Sequence, residues 1–444
     1  MVMNILLVQP PSSPKWNLPP LSIASLASSL RNQNYEVEVI DFNLKWEKSI
    51  DEMVSEARRK KYDIVGLTCW GNMAPFCIEF SRKLKEKDPS IKIVLGGALA
   101  TFMAEDLLRL GSTDFVVKGE GENTIVDLVE QIETDGDPSK VEGIAYRQAD
   151  RVFSTAARAP ANLDDLPFPA WDLFEDLDTY QKYQSDKQLP LQASKGCVYD
   201  CIFCSVTKMC CGIQRRKTVS RVIKEIRYLV DSFGVDNLYF CDDTFTLNEG
   251  WARNICKELV RQRINVKWNI DTRADLINSE LLGDLKDAGC SGIFYGIESV
   301  SPRILGFMHK NIPPEVTRRS ITKTMDAGIS TQVSVIYGFP FETEEEVEDL
   351  TTLCLGFQKE GVEQVHLHVL TPYPGTEITH KYRAEIVPSP FPELLGLQNL
   401  DLLHRHSKYV PELWIFRHSN MTTDRFAELF FDAYVRVSSK DTFL

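Results

Sequence analysis

Two successive series of short apolar runs, separated by amphipathic stretches, restrict the fold of this chain more than any other feature. In the first series the runs are Asn4–Val8, Glu36–Ile40, Asp63–Thr68, Lys92–Leu95 and Asp114–Val117. Between them, Leu21–Leu30 and Ala74–Lys87 carry helical patterns, the latter with apolar positions at helical spacing. Strand and helix in strict turn predict an α/β fold with a Rossmann-like, doubly wound parallel sheet. Ligands of such sheets bind beyond the carboxyl ends of the strands. Those ends read Gln9-Pro10-Pro11, Cys69-Trp70-Gly71-Asn72, Gly96-Gly97-Ala98 and Gly119-Glu120-Gly121-Glu122. Small residues, Gly and Pro at all four favour a ligand crevice over four unrelated turns. No GxGxxG or P-loop pattern follows any strand, so neither a dinucleotide nor a P-loop nucleotide is indicated.

The alternation pauses after residue 140. A hairpin-like pair, Gly143–Arg147 and Arg151–Thr155, precedes a proline- and acid-rich stretch, 162–171, that suits an extended linker. From residue 188 the alternation resumes on a longer beat, with runs at Leu191–Ser194, Asn237–Cys241, Val266–Asp271, Gly292–Gly296, Gln332–Gly338 and Gln364–Leu370. Six such units predict a partial (β/α)6 TIM-type barrel, whose chemistry would lie at the C-terminal strand ends. The expected organisation is a Rossmann-like domain over 1–140, a hairpin and linker over 141–187, the barrel over 188–380 and a small helical cap over 381–444.

The net charge of −13 argues against electrostatic capture of nucleic acid. Basic stretches such as Arg58–Lys61 and Arg215–Lys217 are expected as solvated helix ends or loops. No apolar run approaches the roughly 20 residues of a membrane span, and the start lacks the basic region and cleavage site of a signal peptide. A cytoplasmic protein without a membrane span is expected. Eleven cysteines, an odd number with no export signal, argue against a disulfide framework. Eight show no ligand spacing, and most of them are expected as packing residues.

The other three lie in Ser194-Lys-Gly196-Cys197-Val-Tyr-Asp-Cys201-Ile-Phe-Cys204, just past the first barrel run. Zinc would want a fourth ligand and commonly takes CxxC pairs in twos, and no second pair exists. Three thiolates instead suit a [4Fe–4S] cluster with one iron left open for a non-protein ligand.

This CxxxCxxC spacing, with Phe203 before the third cysteine, resembles the radical S-adenosylmethionine (SAM) superfamily, and the resemblance covers about residues 188–380. It implies cluster ligation by Cys197, Cys201 and Cys204, and SAM binding by Phe203 and later strand ends. Asp242 and Asp243 follow the second run, Glu298 and Ser299 the fourth, and Gly338 and Pro340 the fifth. The implied chemistry is reductive cleavage of SAM to methionine and a 5′-deoxyadenosyl radical. An electron donor such as flavodoxin or ferredoxin and a small-molecule or peptide substrate would be the partners.

The first 130 residues resemble the cobalamin-binding subfamily through Pro19-Pro20-Leu21-Ser-Ile-Ala-Ser-Leu-Ala27, Gly96-Gly97 and Gly119–Glu122. This implies cobalamin contacts at Gln9, Pro10, Trp70, Asn72, Gly96, Gly97, Gly119 and Glu120. No Asp-x-His-x-x-Gly motif is present, and no histidine precedes His309, so this domain supplies no histidine to cobalt. Methylthiotransferase relatives would need a second cysteine set here, and only Cys69 and Cys77 occur. The function implied is cobalamin-dependent methyl transfer to an unactivated carbon. The alternative is a radical SAM oxidoreductase or lyase that transfers no methyl group. His366 and His368 share one face of the sixth run and are expected either to meet substrate or to be satisfied polar groups.

Overall fold

The computed structural model describes residues 3–12, 18–174, 177–181, 188–391 and 400–438. The chain forms two compact units. One gathers Met1–Ser185 with Tyr373–Gly375 and Pro392–Leu413, and the other Asp186–Pro372 with Thr376–Phe391 and Trp414–Leu444.

The first unit is built on one sheet. Its strands are β1 (Asn4–Gln9), β2 (Glu36–Asp41), β3 (Ile64–Thr68), β4 (Lys92–Gly96), β5 (Phe115–Val117), β6 (Ile144–Gln148) and β7 (Arg151–Ser154), in the order β2-β1-β3-β4-β5-β6-β7. The first five are parallel, and the hairpin β6–β7 joins antiparallel beside β5. The hairpin therefore extends the sheet rather than starting a linker. Strand order reverses between β1 and β3, which places a ligand crevice outside their carboxyl ends. The apolar runs are buried on both faces because helices cover both, as β1 shows with Ile5 to Val8 at 0–1 % exposure.

The stretch around Trp171, whose prolines suggested an extended linker, is strapped onto helix Leu21–Arg31. The Ala170 N–H donates to Ala24 O at 3.0 Å, the Ser28 hydroxyl donates to Phe168 O, and Trp171 is fully buried. The segment expected as one helical cap, 381–444, is divided between the units. Helix Leu400–Arg405 packs on helix Ala74–Lys87, and Tyr409 enters the core of the first sheet. Helix Thr423–Ser438 packs on helix Glu344–Glu360 of the second unit, and its Phe430 meets Tyr337, at the end of strand Ser330–Tyr337, at 5.5 Å.

The second unit carries six parallel strands in sequential order. They are β8 (Gln188–Leu191), β11 (Asn237–Phe240), β12 (Lys267–Thr272), β13 (Cys290–Glu298), β14 (Ser330–Tyr337) and β15 (Gln364–Val369). Two short antiparallel pairs complete the set, β9 (Ser194–Lys195) with β10 (Arg215–Arg216) and β16 (Ile386–Pro388) with β17 (Trp414–Phe416). The parallel sheet is an open (β/α)6 barrel. Its helix-covered side is aromatic: Phe240, Phe245 and Trp268 stack edge-on at 4.9–5.6 Å, and the Trp268 indole N–H donates to Ala288 O at 2.9 Å.

Trp268 has no solvent exposure, so its removal leaves both a large void and an orphaned carbonyl. We predict that Trp268→Ala costs about 3–5 kcal/mol, read as a lowered urea midpoint for unfolding of the second unit under anaerobic conditions.

Candidate active site

The cysteine loop begins where β8 ends, and the end of β11 holds it. Asp242 and Asp243 follow Phe240-Cys241, and both carboxylates accept from the backbone that leads into the loop. Asp242 takes the Ala193 N–H at 2.8 Å and the Ser194 hydroxyl; Asp243 takes the Gly196 N–H at 2.7 Å. Burial raises both, Asp242 to about 7, partly offset by these bonds. On the other side β10 pairs with β9, and the Gln214 amide donates to Ser194 Oγ and Thr244 O. The basic stretch Arg215–Lys217, expected as solvated, is thus part of the loop's frame, and Lys217 is buried against Glu225 at 2.6 Å. Gly196 sits at φ +97°, and a Cβ there would run into Ile213 O and meet Cys210 Cβ at 2.9 Å.

Beyond the turn, Ile202 pins the loop to the apolar cluster of Ile304, Leu305, Met308 and Phe339, with Phe203 packed against it. Its N–H donates to Met308 O and its carbonyl accepts from Ile378 N–H. Cys197, Cys201 and Cys204 are left half-buried. Burial pushes the Cys201 thiol up and Cys204 up to about 11, while Lys310 and Arg273 pull Cys201 down.

Those two cations were not anticipated from the sequence, because single basic residues outside a motif carry no signal. Lys310 pairs with Glu298 at 2.7 Å, both nearly closed to solvent. Glu298 stands at φ +69°, where β13 shifts register against β14, and Gly296 beside it has no room for a Cβ. Such a bulge re-aims a side chain. Arg273, just past β12, holds Asp275 through two 3.0 Å bonds, donates to Lys310 O at 3.1 Å, and lies 3.7 Å over the ring of Tyr199 in the cysteine loop.

Other expected SAM residues form the Gly338 turn. Gly338, at φ +96°, donates its N–H to Glu342 at 2.6 Å, and Phe426 closes over its α-carbon. Pro340 O accepts from Ser419 N–H at 2.7 Å. Ser299 is buried, and its hydroxyl accepts from Ser301 N–H at 3.2 Å. The structure thus brings the cysteines, Asp243 and Glu298 into one electrostatic neighbourhood. It commits Asp242 to the loop backbone, at 1 % exposure.

These residue types fit a [4Fe–4S] cluster with SAM on its open iron. No three His, Cys, Asp or Glu among the described residues surround a single ion. Three thiols without a fourth protein ligand suit a cluster, which gives each thiolate its own iron.

In the first unit the strand-end loops are tied together. Cys69 N–H donates to Gly96 O at 2.6 Å, Thr101 bonds Gly97 O, and Gly119 N–H donates to Thr101 Oγ1 at 3.0 Å. A Cβ on Gly97, at φ +98°, would meet the Cys69 backbone and Trp70 Nε1 within 3.2 Å, while one on Gly119, at φ +70°, would face open space. Trp70 is 54 % exposed, a flat apolar face beside this glycine-lined edge. Gln9 is buried at the end of β1, its amide bonded to Pro10 O. Glu412 lies against Gly71, accepts from the Asn72 backbone and takes the Tyr373 hydroxyl at 3.0 Å. Such an edge fits a broad, flat ligand such as a corrin. The later segment also adds His404 and His406 to this unit, on or beside helix Leu400–Arg405, with His406 near Glu79 and Arg82.

Comparison with known proteins agrees with both halves. The B12 binding domain model matches residues 13–129, and the radical SAM superfamily model matches residues 191–354. The chain is a radical SAM protein with a B12-binding domain. It is 29 % identical over 98 % of its length to an uncharacterized methyltransferase of Pyrococcus horikoshii, covering 92 % of that protein. Against the anaerobic magnesium-protoporphyrin IX monomethyl ester cyclase of Rubrivivax gelatinosus it is 28 % identical over 82 % of this chain, spanning 66 % of the cyclase. Its fold matches the radical SAM methyltransferase TsrM of Kitasatospora setae, with cobalamin and [4Fe–4S] cluster bound. The TM-score is 0.77 at 17 % identity, over 100 % of this chain and 89 % of that one. It also matches the cobalamin-dependent radical SAM enzyme OxsB with a TM-score of 0.68 at 19 % identity, over 97 % of this chain and 61 % of that one. No helix among the described residues is long and apolar enough to cross a membrane.

Two predictions follow from the loop geometry. Gly196→Ala should lose most of its iron on anaerobic reconstitution while retaining wild-type helical content by circular dichroism. Glu342, raised to about 8 by burial, holds in the folded state a proton that the unfolded chain releases above its ordinary value of 4.5. Its contribution is therefore largest at low pH and is lost as pH rises through about 8. Glu342→Gln should show a shallower fall in thermal midpoint between about pH 6 and pH 8 than the wild type.

Proposed function

We propose that this enzyme transfers a methyl group, in a cobalamin-dependent reaction, to an unactivated carbon of a small-molecule or peptide substrate. The observation that carries it is the coexistence in one chain of two candidate sites, each with the residue types its cofactor needs. One is the buttressed three-cysteine loop, and the other is the glycine-lined strand-end edge with exposed Trp70. The named activity of the Pyrococcus horikoshii relative, matched across nearly the whole chain, supports the same reading.

When bound, the cluster supplies the electron that breaks the sulfonium of SAM, and cobalamin carries the methyl group. The chain's own residues do the rest. Asp242 and Asp243 fix the cysteine loop, so the cluster position is set before SAM arrives. Arg273 holds that loop through Tyr199. The Glu298–Lys310 pair presents one carboxylate and one ammonium to the barrel mouth without net charge. The Gly338 turn offers backbone at close range, as an adenine edge requires. A flavodoxin- or ferredoxin-type protein would deliver the electron.

The test uses anaerobically reconstituted enzyme with SAM, hydroxocobalamin and a low-potential reductant. Formation of S-adenosylhomocysteine that depends on added cobalamin is the expected result. Formation of methionine and 5′-deoxyadenosine alone, unchanged by cobalamin, would replace methyl transfer with an oxidoreductase or lyase reaction.

A further inference from the structure

Alternate residues of the barrel strands face opposite sides of the sheet. Phe240, Trp268, Ile270, Tyr295 and Val333 take the helix-covered side and are fully buried. The opposite parity puts Tyr239, Asn269, Asp271, Phe294, Gln332 and His366 on the barrel interior. Strand register sets three of these in one row, Asp271 beside Phe294 and Phe294 beside Gln332.

Asp271 is the anomaly in that row. Its Oδ2 accepts from the Tyr239 hydroxyl at 2.6 Å, whereas its Oδ1 is closed off from solvent and has no partner. A buried acceptor left without a donor costs about 1–3 kcal/mol, more when charged. The surrounding interior does not supply that donor. The His366 ring lies 5.4 Å from Phe294, and its Nε2 meets Gln332 Oε1 at 3.3 Å. The buried cations Lys310 and Arg273 are committed to Glu298 and Asp275. Arg273 lies two residues on, just past the end of that strand, so Asp271 sits roughly 7 Å deeper than Arg273, and the Asp243 carboxylate acts on it from the loop side.

We propose that Asp271, positioned by Tyr239, is the nitrogen-binding subsite of the barrel: its Oδ1 accepts from a protonated amine of a bound small molecule whose apolar part lies against Phe294 and His366. The inference rests on the radical SAM reading, because SAM also brings an ammonium group. The amine has two sources, the substrate or SAM itself. The depth of Asp271 below Arg273 favours the substrate.

The test uses reconstituted holoenzyme with benzylamine as the amine probe and benzyl alcohol as its neutral match. Binding is followed by saturation-transfer NMR, and radiolabelled SAM is followed by equilibrium dialysis. Wild type should prefer benzylamine by about tenfold or more, and Asp271→Asn should abolish that preference. Tyr239→Phe keeps the charge and should retain a preference. If Asp271→Asn instead weakens SAM about tenfold, the same nitrogen-binding role stands with SAM as the source. Equal affinity of wild type for the two probes, or equal loss of preference in both variants with SAM affinity unaltered, overturns the proposal. Failure of the radical SAM reading would appear separately, as no SAM cleavage by wild type.

Discussion

Two carboxylates at the end of the second barrel strand hold the backbone from which the rest of the site hangs. Asp242 and Asp243 accept from Ala193, Ser194 and Gly196, the residues that turn the chain out of the first strand and into the cysteines. Because Asp242 is buried, the bonds it accepts are shielded from competing water, and their loss would leave a charge without partners, while Asp243 reaches Gly196 from a position open to solvent. Everything downstream inherits this anchor: Ile202 docking on its apolar cluster, Tyr199 under Arg273, and the three thiols left partly open. A cluster site must be rigid before it is filled, since a mobile loop would spend binding energy on ordering three ligands.

The barrel mouth and its interior divide the electrostatic work. Near the cysteines, charges come in compensated pairs, Glu298 with Lys310 and Arg273 with Asp275. A zwitterionic ligand such as SAM would meet both signs there. Deeper in, Asp271 stands beside aromatic and amide groups and within reach of the Asp243 carboxylate, and burial keeps His366 and His368 below their ordinary value.

Much of this was legible in the sequence, and the reason is periodicity. The five parallel strands of the first sheet and the last five of the barrel overlap the short apolar runs, a signal that survives without tertiary information, whereas β8, Gln188–Leu191, ends where its expected run Leu191–Ser194 begins. The cysteine loop was legible because ligand spacing is local. What escaped was whatever depends on contacts between distant segments. Lys310 and Arg273 belong to no motif, and only folding sets them beside the cysteines. Arg215–Lys217 looked solvated because a charge run gives no hint that it pairs with Ser194–Lys195. Trp171 looked like part of a linker because its prolines are visible in sequence while its burial against helix Leu21–Arg31 is not. The division of the C-terminal segment between two units was likewise hidden, since its helical pattern says nothing about which core it completes.

The central claim is that the Cys197, Cys201 and Cys204 loop holds a [4Fe–4S] cluster that cleaves SAM. It is tested most directly by iron and sulfide analysis, with electron paramagnetic resonance of the reduced protein, on anaerobically reconstituted wild type and Cys201→Ala. The account predicts about four irons per chain and a reduced-cluster signal perturbed by SAM in the wild type, with both lost in the variant. Zinc in place of iron, or SAM cleavage persisting in Cys201→Ala, would contradict it.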